Sequence, residues 1–179
     1  MQLFQPVYCM MNNKIYRRAL WGIFVLYLAV LIKLIFYKSQ LGSIDYHYEF
    51  NHNLTLWQNY IIANFTPLKG ITNVLKESGK PEFIIQNLGG NILVFMPLGI
   101  LVPLLFPKTW SFKRIVLTGF LTSLLFEIIQ LFAIMGCFDV DDILLNTIGT
   151  ALGYLVLLAV FRYVAVKFPG LYTGIEKLK

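Results

Sequence analysis

The stretch LTSLLFEIIQLFAI, residues 121–134, holds one acid, Glu127, and one amide three places on, Gln130. Two further polar sets stand in or beside apolar runs: Asn87 with Asn91, and Asp139 with Asp142 and Asn146. Neighbours within each set are three or four apart, the interval that places side chains on one face of a helix. Carboxylate and amide oxygens are hard ligands suited to calcium or magnesium. The same groups bind the hydroxyl, amide or amine of a ligand by hydrogen bonding. Two carboxylates with displaced pKa values can also act as acid and base. Glu127, Asp139 and Asp142 are thus the ligands to expect if a cation binds, and Glu127 with Asp142 the pair to expect if the chain is an enzyme. No Ser/His or Cys/His pair and no HExxH motif accompanies them, and no cofactor is expected.

A plainer role competes with these. Amides in membrane helices often only tie helices together, for about 0.6 kcal/mol each. That role suits Asn87, Asn91 and Gln130, and Asp141 reads as part of a solvated loop. Glu127 and Asp142 are different, because amides would have sufficed for packing and an acid in lipid costs far more.

The elements that must position these groups are apolar. Of the 179 residues, 58% are hydrophobic and 13% charged, against roughly half and a quarter in soluble domains. The pattern predicts an all-α integral membrane protein with a single domain over 1–179. About 20 apolar residues cross a bilayer as a helix, and four segments come close: 20–37, 83–106, 115–135 and 143–166. Pro97 and Pro103 in the second are tolerable where neighbouring helices absorb the lost backbone bonds. The charged start before residue 20 is followed by no small-residue cleavage site, so a retained helix is expected.

The net charge of +6 comes from short basic clusters between apolar runs, which argues for topology and against nucleic acid. With the N-terminus inside, ten Lys and Arg fall on the inner side, from Lys14, Arg17 and Arg18 through Lys108, Lys113 and Arg114 to the C-terminus. Lys38, Lys69, Lys76 and Lys80 fall outside, which makes N-in, C-in the expected orientation. Cys9 and Cys137 then lie on opposite sides, and no disulfide is expected. His47 and His52 are expected to be solvated in the outer loop, 38–82. Its aromatic middle, around Trp57, Tyr60 and Phe65, suits an interfacial helix or a cover over the bundle mouth.

Glu127 lies 13 residues beyond Arg114, roughly 20 Å up its helix and toward the outer surface. Gly119 and Ser123 share its face. Asp142, Asn146, Gly149 and Gly153 make a matching stripe on the last helix, and the two stripes are expected to pack together.

Three blocks, NLGGNILVFMPLG from Asn87, FEIIQLF from Phe126 and FDVDDILLNTIGTALGY from Phe138, together resemble the VanZ-like family of small bacterial membrane proteins. Asn64-Phe-Thr-Pro67-Leu is similar to that family's Asn-x-x-Pro-Phe element. The resemblance marks Asn87, Asn91, Glu127, Gln130, Asp139, Asp142 and Asn146 as ligand-binding, and Asn64, Pro67, Pro97, Gly99 and Gly149 as structural. Many members carry an Arg just before the aspartates, where this chain has Gly136-Cys137-Phe138. The family implies a cell-envelope role and, in the member that names it, resistance to teicoplanin-type glycopeptides. Two functions follow for this chain. One is a plasma-membrane protein binding an amphiphile, a lipid-linked cell-wall precursor or a lipoglycopeptide at an outward acidic and amide site, with membrane lipids as neighbours. The other is a membrane-embedded enzyme acting on a lipid-linked substrate. A transporter is disfavoured, since the inner halves of the helices are apolar apart from small residues.

Overall fold

A computed structural model of the chain describes residues 13–38, 55–77, 85–134 and 136–167. Cys9, His47 and His52 lie outside the described residues. Among those described the architecture is all-helical: α1 (Lys14–Lys38), α2 (Leu56–Ile62), α3 (Lys69–Glu77), α4 (Gly90–Leu105), α5 (Phe112–Ala133) and α6 (Val140–Lys167). A π-turn, Ile85–Gly89, leads into α4, and a 3-10 turn, Pro107–Thr109, joins α4 to α5. Pro97 and Pro103 sit inside α4 without ending it.

Among the described residues three helices are long and apolar enough to cross a membrane, namely Lys14–Ile35 within α1, α5 and α6. α4 is apolar but has 16 residues, or roughly 24 Å at 1.5 Å per residue. Helices run through each of the four expected segments, with different ends. α1 begins at Lys14 rather than near residue 20, and α6 begins at Val140, so that Asp141 and Asp142 occupy its first turn. Acids are favoured there because the N-terminal end of a helix carries partial positive charge.

α6 is the central element, with α4 on one side and α5 on another. Against α4 the backbones nearly touch: a Cβ on Gly149 would stand 2.2 Å from the Ile92 carbonyl oxygen, and one on Gly153 would stand 2.0 Å from that of Met96. Gly99 answers from α4, 2.0 Å by the same measure from the Thr150 carbonyl. Against α5, Gly119 admits the Thr150 side chain, and Asn146 Nδ2 donates to Ser123 Oγ at 2.8 Å. The expected pairing of the α5 and α6 stripes is therefore half right. Asn146 meets Ser123, but Gly149 and Gly153 face α4, because only α4 brings a backbone close enough to require glycine.

The apolar core lies below this seam and gathers Leu31, Phe95, Leu98, Val102, Ile115, Tyr154 and Leu157. α1 joins it through Leu31 and through Tyr27, whose hydroxyl donates to the Val94 carbonyl at 3.0 Å. Its other face exposes Ile23, Val25, Leu26, Val30 and Ile32, as a lipid-facing helix does.

α2 and α3 occupy the expected outer loop. Thr55 and Gln58 form a capping box that starts α2. Asn59, fully buried, donates from Nδ2 to the Leu131 carbonyl at 2.8 Å and so pins α2 to the last turn of α5. Trp57, Tyr60 and Phe65 run as a chain of ring contacts to Phe138 and stay largely exposed. The segment thus both covers the end of the bundle and presents an aromatic outer face.

Candidate functional site

α5 ends at Ile134, which adopts a left-handed conformation with φ of 54°. The chain then turns back into α6, and this turn meets the residues before α3. Asn64 and Asp139 form an isolated parallel bridge: the Asn64 N–H donates to the Phe138 carbonyl at 2.8 Å, and the Val140 N–H donates to that of Asn64 at 3.0 Å. Asn64 Nδ2 also donates to Asp139 Oδ1 at 2.8 Å, while its Oδ1 accepts from the Thr66 N–H at 3.1 Å. Pro67 is exposed in the turn that follows.

Asp141 closes the clasp. It is 2% exposed, and its carboxylate accepts from the backbone N–H groups of Leu68, Gly70 and Ile71 at 2.5, 2.7 and 3.2 Å. The first turn of α3, which has no helical acceptors of its own, is therefore capped by α6. Leu68 sits at φ of 67°, a conformation that costs a non-glycine residue about 1 kcal/mol or more, and the three bonds to Asp141 offset it. The expectation of a solvated Asp141 is thus overturned. Its spacing from Asp142 says nothing of α3, whose unpaired donors bury it.

Glu127 connects the clasp to the bundle. It is 3% exposed, and its Oε2 accepts the Asp139 N–H at 2.9 Å. The Gln130 amide faces the carboxylate. Turned so that Nε2 points to Glu127, it stands 3.2 Å from both carboxylate oxygens; turned the other way, it donates to the Ile35 carbonyl at 3.3 Å. We favour the first orientation, since the second sets an amide oxygen against a carboxylate. Across the gap Asn91 Nδ2 donates to Asp142 Oδ1.

These groups lie around a partly open cavity of about 50 Å³ lined by Asn91, Glu127, Gln130, Asp142 and Asn146, with Leu34, Ile35, Val94 and Phe95 as its apolar wall. Five of the seven residues expected to bind a ligand thus meet around one space, contributed by α4, α5 and α6. Asp139 does not line it, for its carboxylate is turned to Asn64. Asn87 lies in the π-turn, and its side chain is outside the described residues. Among the described residues no group of three His, Cys, Asp or Glu side chains is placed to hold a metal ion. Gly99 and Gly149 act below the cavity, in the α4–α6 seam.

Comparison with known families can now be set beside this geometry. The family model described as VanZ/LLP1 matches residues 24–162. The chain belongs to the VanZ/LLP1 family. Protein VanZ of Enterococcus faecium is 28% identical over 135 residues, which cover 74% of this chain and 69% of that one. No solved structure matches. The VanZ/LLP1 match takes in α4, α5 and most of α6, and with them the whole cavity and clasp. Within Gly136-Cys137-Phe138, the stretch before the aspartates, Gly136 is buried, and a Cβ there would stand 2.9 Å from the end of the Gln130 side-chain amide.

Sequence reasoning missed Asn59 and the role of Asp141. Asn59 offered one signal, an amide inside the apolar run LWQNYII.

Burial pushes the Asp139 carboxyl up from its ordinary 3.8 to about 6, and the negative charge of Asp142 pushes the same way; hydrogen bonds from the Asp141 backbone and Asn64 oppose them. The folded value lies above the unfolded one, so the folded state holds this proton more tightly. The contribution of Asp139 is most favourable below about pH 4 and is lost as pH rises through about 6. We therefore expect the unfolding midpoint of the purified protein to fall between about pH 4.5 and 7.5 and Asp139→Asn to flatten that slope; equal slopes in the two proteins would contradict it.

Proposed function

We propose that this chain is a multi-pass protein of the bacterial plasma membrane, with α1, α4, α5 and α6 as four crossings and both termini inside. One feature supports that orientation. The Lys108, Lys113 and Arg114 cluster lies at the α4–α5 turn, where the positive-inside rule places it in the cytoplasm. The clasp, with Asp139, Asp141 and Asp142, then lies at the opposite end, toward the outer leaflet. The π-turn before α4 adds the length that its 16 residues lack.

On this reading the protein engages an amphiphile or a lipid-linked ligand at its outer face and confers tolerance to teicoplanin-type lipoglycopeptides. The observation that carries it is the meeting of Asn91, Glu127, Gln130, Asp142 and Asn146 around one space beside the lipid-facing α1. A space of about 50 Å³ admits only the polar tip of such a ligand, so the remainder lies along the apolar wall of Leu34, Ile35 and Val94. The kinship with Protein VanZ supports the antibiotic reading.

Susceptibility tests it. Cells producing Glu127→Gln or Asp142→Asn at the level of the wild type are expected to lose most of any tolerance that the wild type confers. Tolerance unchanged in both, with production verified in membranes, would sink the reading.

A further inference from the structure

A second space lies toward the other end of α5, away from Glu127. It is a shallow groove of about 340 Å³ lined by Phe112, Lys113, Val116, Leu117 and Phe120 of α5 and by Thr147 of α6. Phe112, Val116 and Phe120 recur every four residues and so share a helix face, and Phe112, Leu117 and Phe120 are exposed. Thr147 brings no free hydroxyl to the groove, because its Oγ1 donates to the Ile143 carbonyl at 2.7 Å. The run from Phe112 to Phe120 covers roughly 12 Å at 1.5 Å per residue, which is most of one leaflet of a hydrocarbon core about 30 Å thick. Its walls are therefore apolar for the depth of one leaflet, and Lys113, in the first turn of α5, is the one charge among them.

Two occupants suit an apolar groove of this kind, an acyl chain or a helix from a second copy, and charge decides between them. The acids among the described residues, Glu77, Glu127, Asp139, Asp141 and Asp142, lie in α3, late in α5 and around the start of α6. At the groove end stand Lys108, Lys113 and Arg114 instead. Copies inserted in the same orientation would bring two such clusters together, and like charges repel. We infer that the groove seats an acyl chain of an anionic phospholipid, with the phosphate beside Lys113. The N-terminal end of α5 adds partial positive charge at the same place, and a lysine at the membrane surface favours an anionic lipid roughly 5-fold. The inference rests on the proposed membrane crossings and places the lipid in the leaflet on the basic side. It does not depend on what the cavity beside Glu127 binds.

Native mass spectrometry of the full chain tests it, after delipidation in detergent and addition of equal amounts of phosphatidylglycerol and phosphatidylcholine with the same acyl chains. One bound lipid per monomer is expected, with phosphatidylglycerol about 5-fold in excess. Lys113→Gln, at an exposed position, is expected to bring the ratio close to one. Arg17→Gln, in the basic start of α1, is expected to leave it unchanged. Thr147→Phe fills the groove from α6 and Leu117→Trp fills it from α5, so each is expected to reduce bound lipid of both kinds, and having two guards against one failing to fold. Equal binding of the two lipids by the wild type overturns the inference. So does a preference that survives Lys113→Gln or is lost equally in Arg17→Gln, lipid retained at the wild-type level by the filled variants, or a dimer that carries no lipid.

Discussion

Gly149→Ala is expected to leave little folded protein. The added carbon is a single methyl group, but it would stand 2.2 Å from the Ile92 carbonyl oxygen. That obstacle is backbone, so no rotamer change relieves it and α4 must move bodily away from α6. The seam cannot open at one point alone, since Gly153 and Gly99 hold approaches of 2.0 Å at neighbouring turns. Overpacking in a closely packed interior costs about 1–3 kcal/mol where side chains can yield, and more is expected where they cannot. The check is the yield of monodisperse protein and its unfolding midpoint in detergent. Gly22→Ala is the control, because nothing lies within 4 Å of a Cβ there. A Gly149→Ala protein as stable as that control would mean that α4 and α6 do not meet as described.

Asp141→Ala is expected to release the clasp without unfolding the bundle. Three backbone donors, from Leu68, Gly70 and Ile71, lose their acceptor together, and Leu68, at positive φ, loses the acceptor of its N–H. Loss of a helix cap alone costs about 0.5–2 kcal/mol, and each part-buried donor left unsatisfied adds toward the lower end of the roughly 1–3 kcal/mol that a buried one costs. A combined effect of about 3 kcal/mol raises local opening by roughly 100-fold. Hydrogen exchange read by mass spectrometry should show this over residues 64–77, with α5 and the later turns of α6 little changed. Asp141→Asn, which keeps one carbonyl acceptor, is expected to fall between the two. Unchanged exchange over 64–77 in the alanine variant would return Asp141 to the solvated loop that its spacing suggested.

The contrast between Asp141 and Asp142 shows where local pattern stops being informative. The two are adjacent acids in the first turn of one helix, and residue spacing separated them only by face. Asp142 shares a face with Asn146, and that was enough to assign it to the cavity it lines. Asp141 points elsewhere, and its surroundings come from a segment some 70 residues away in the chain. Asn59 is similar, an amide whose partner carbonyl is in α5.

Residue types and their spacing by themselves determined that the chain is helical and apolar, where its long helices run, and which polar side chains share a face. These are local properties, set by the 3.6-residue turn and by the free energy of placing each side chain in lipid or water. Tertiary structure decided the partners. Gly149 and Gly153 could have served either neighbour of α6, and they face α4 because a carbonyl there comes too close to leave room for a Cβ. Asp139 could have joined Glu127 and Asp142 in one acidic set, and instead it turns to Asn64 because the clasp supplies its carboxylate with an amide donor. Close approach and buried hydrogen bonding depend on groups far apart in the chain, and no periodicity in one segment records what the other segment brings.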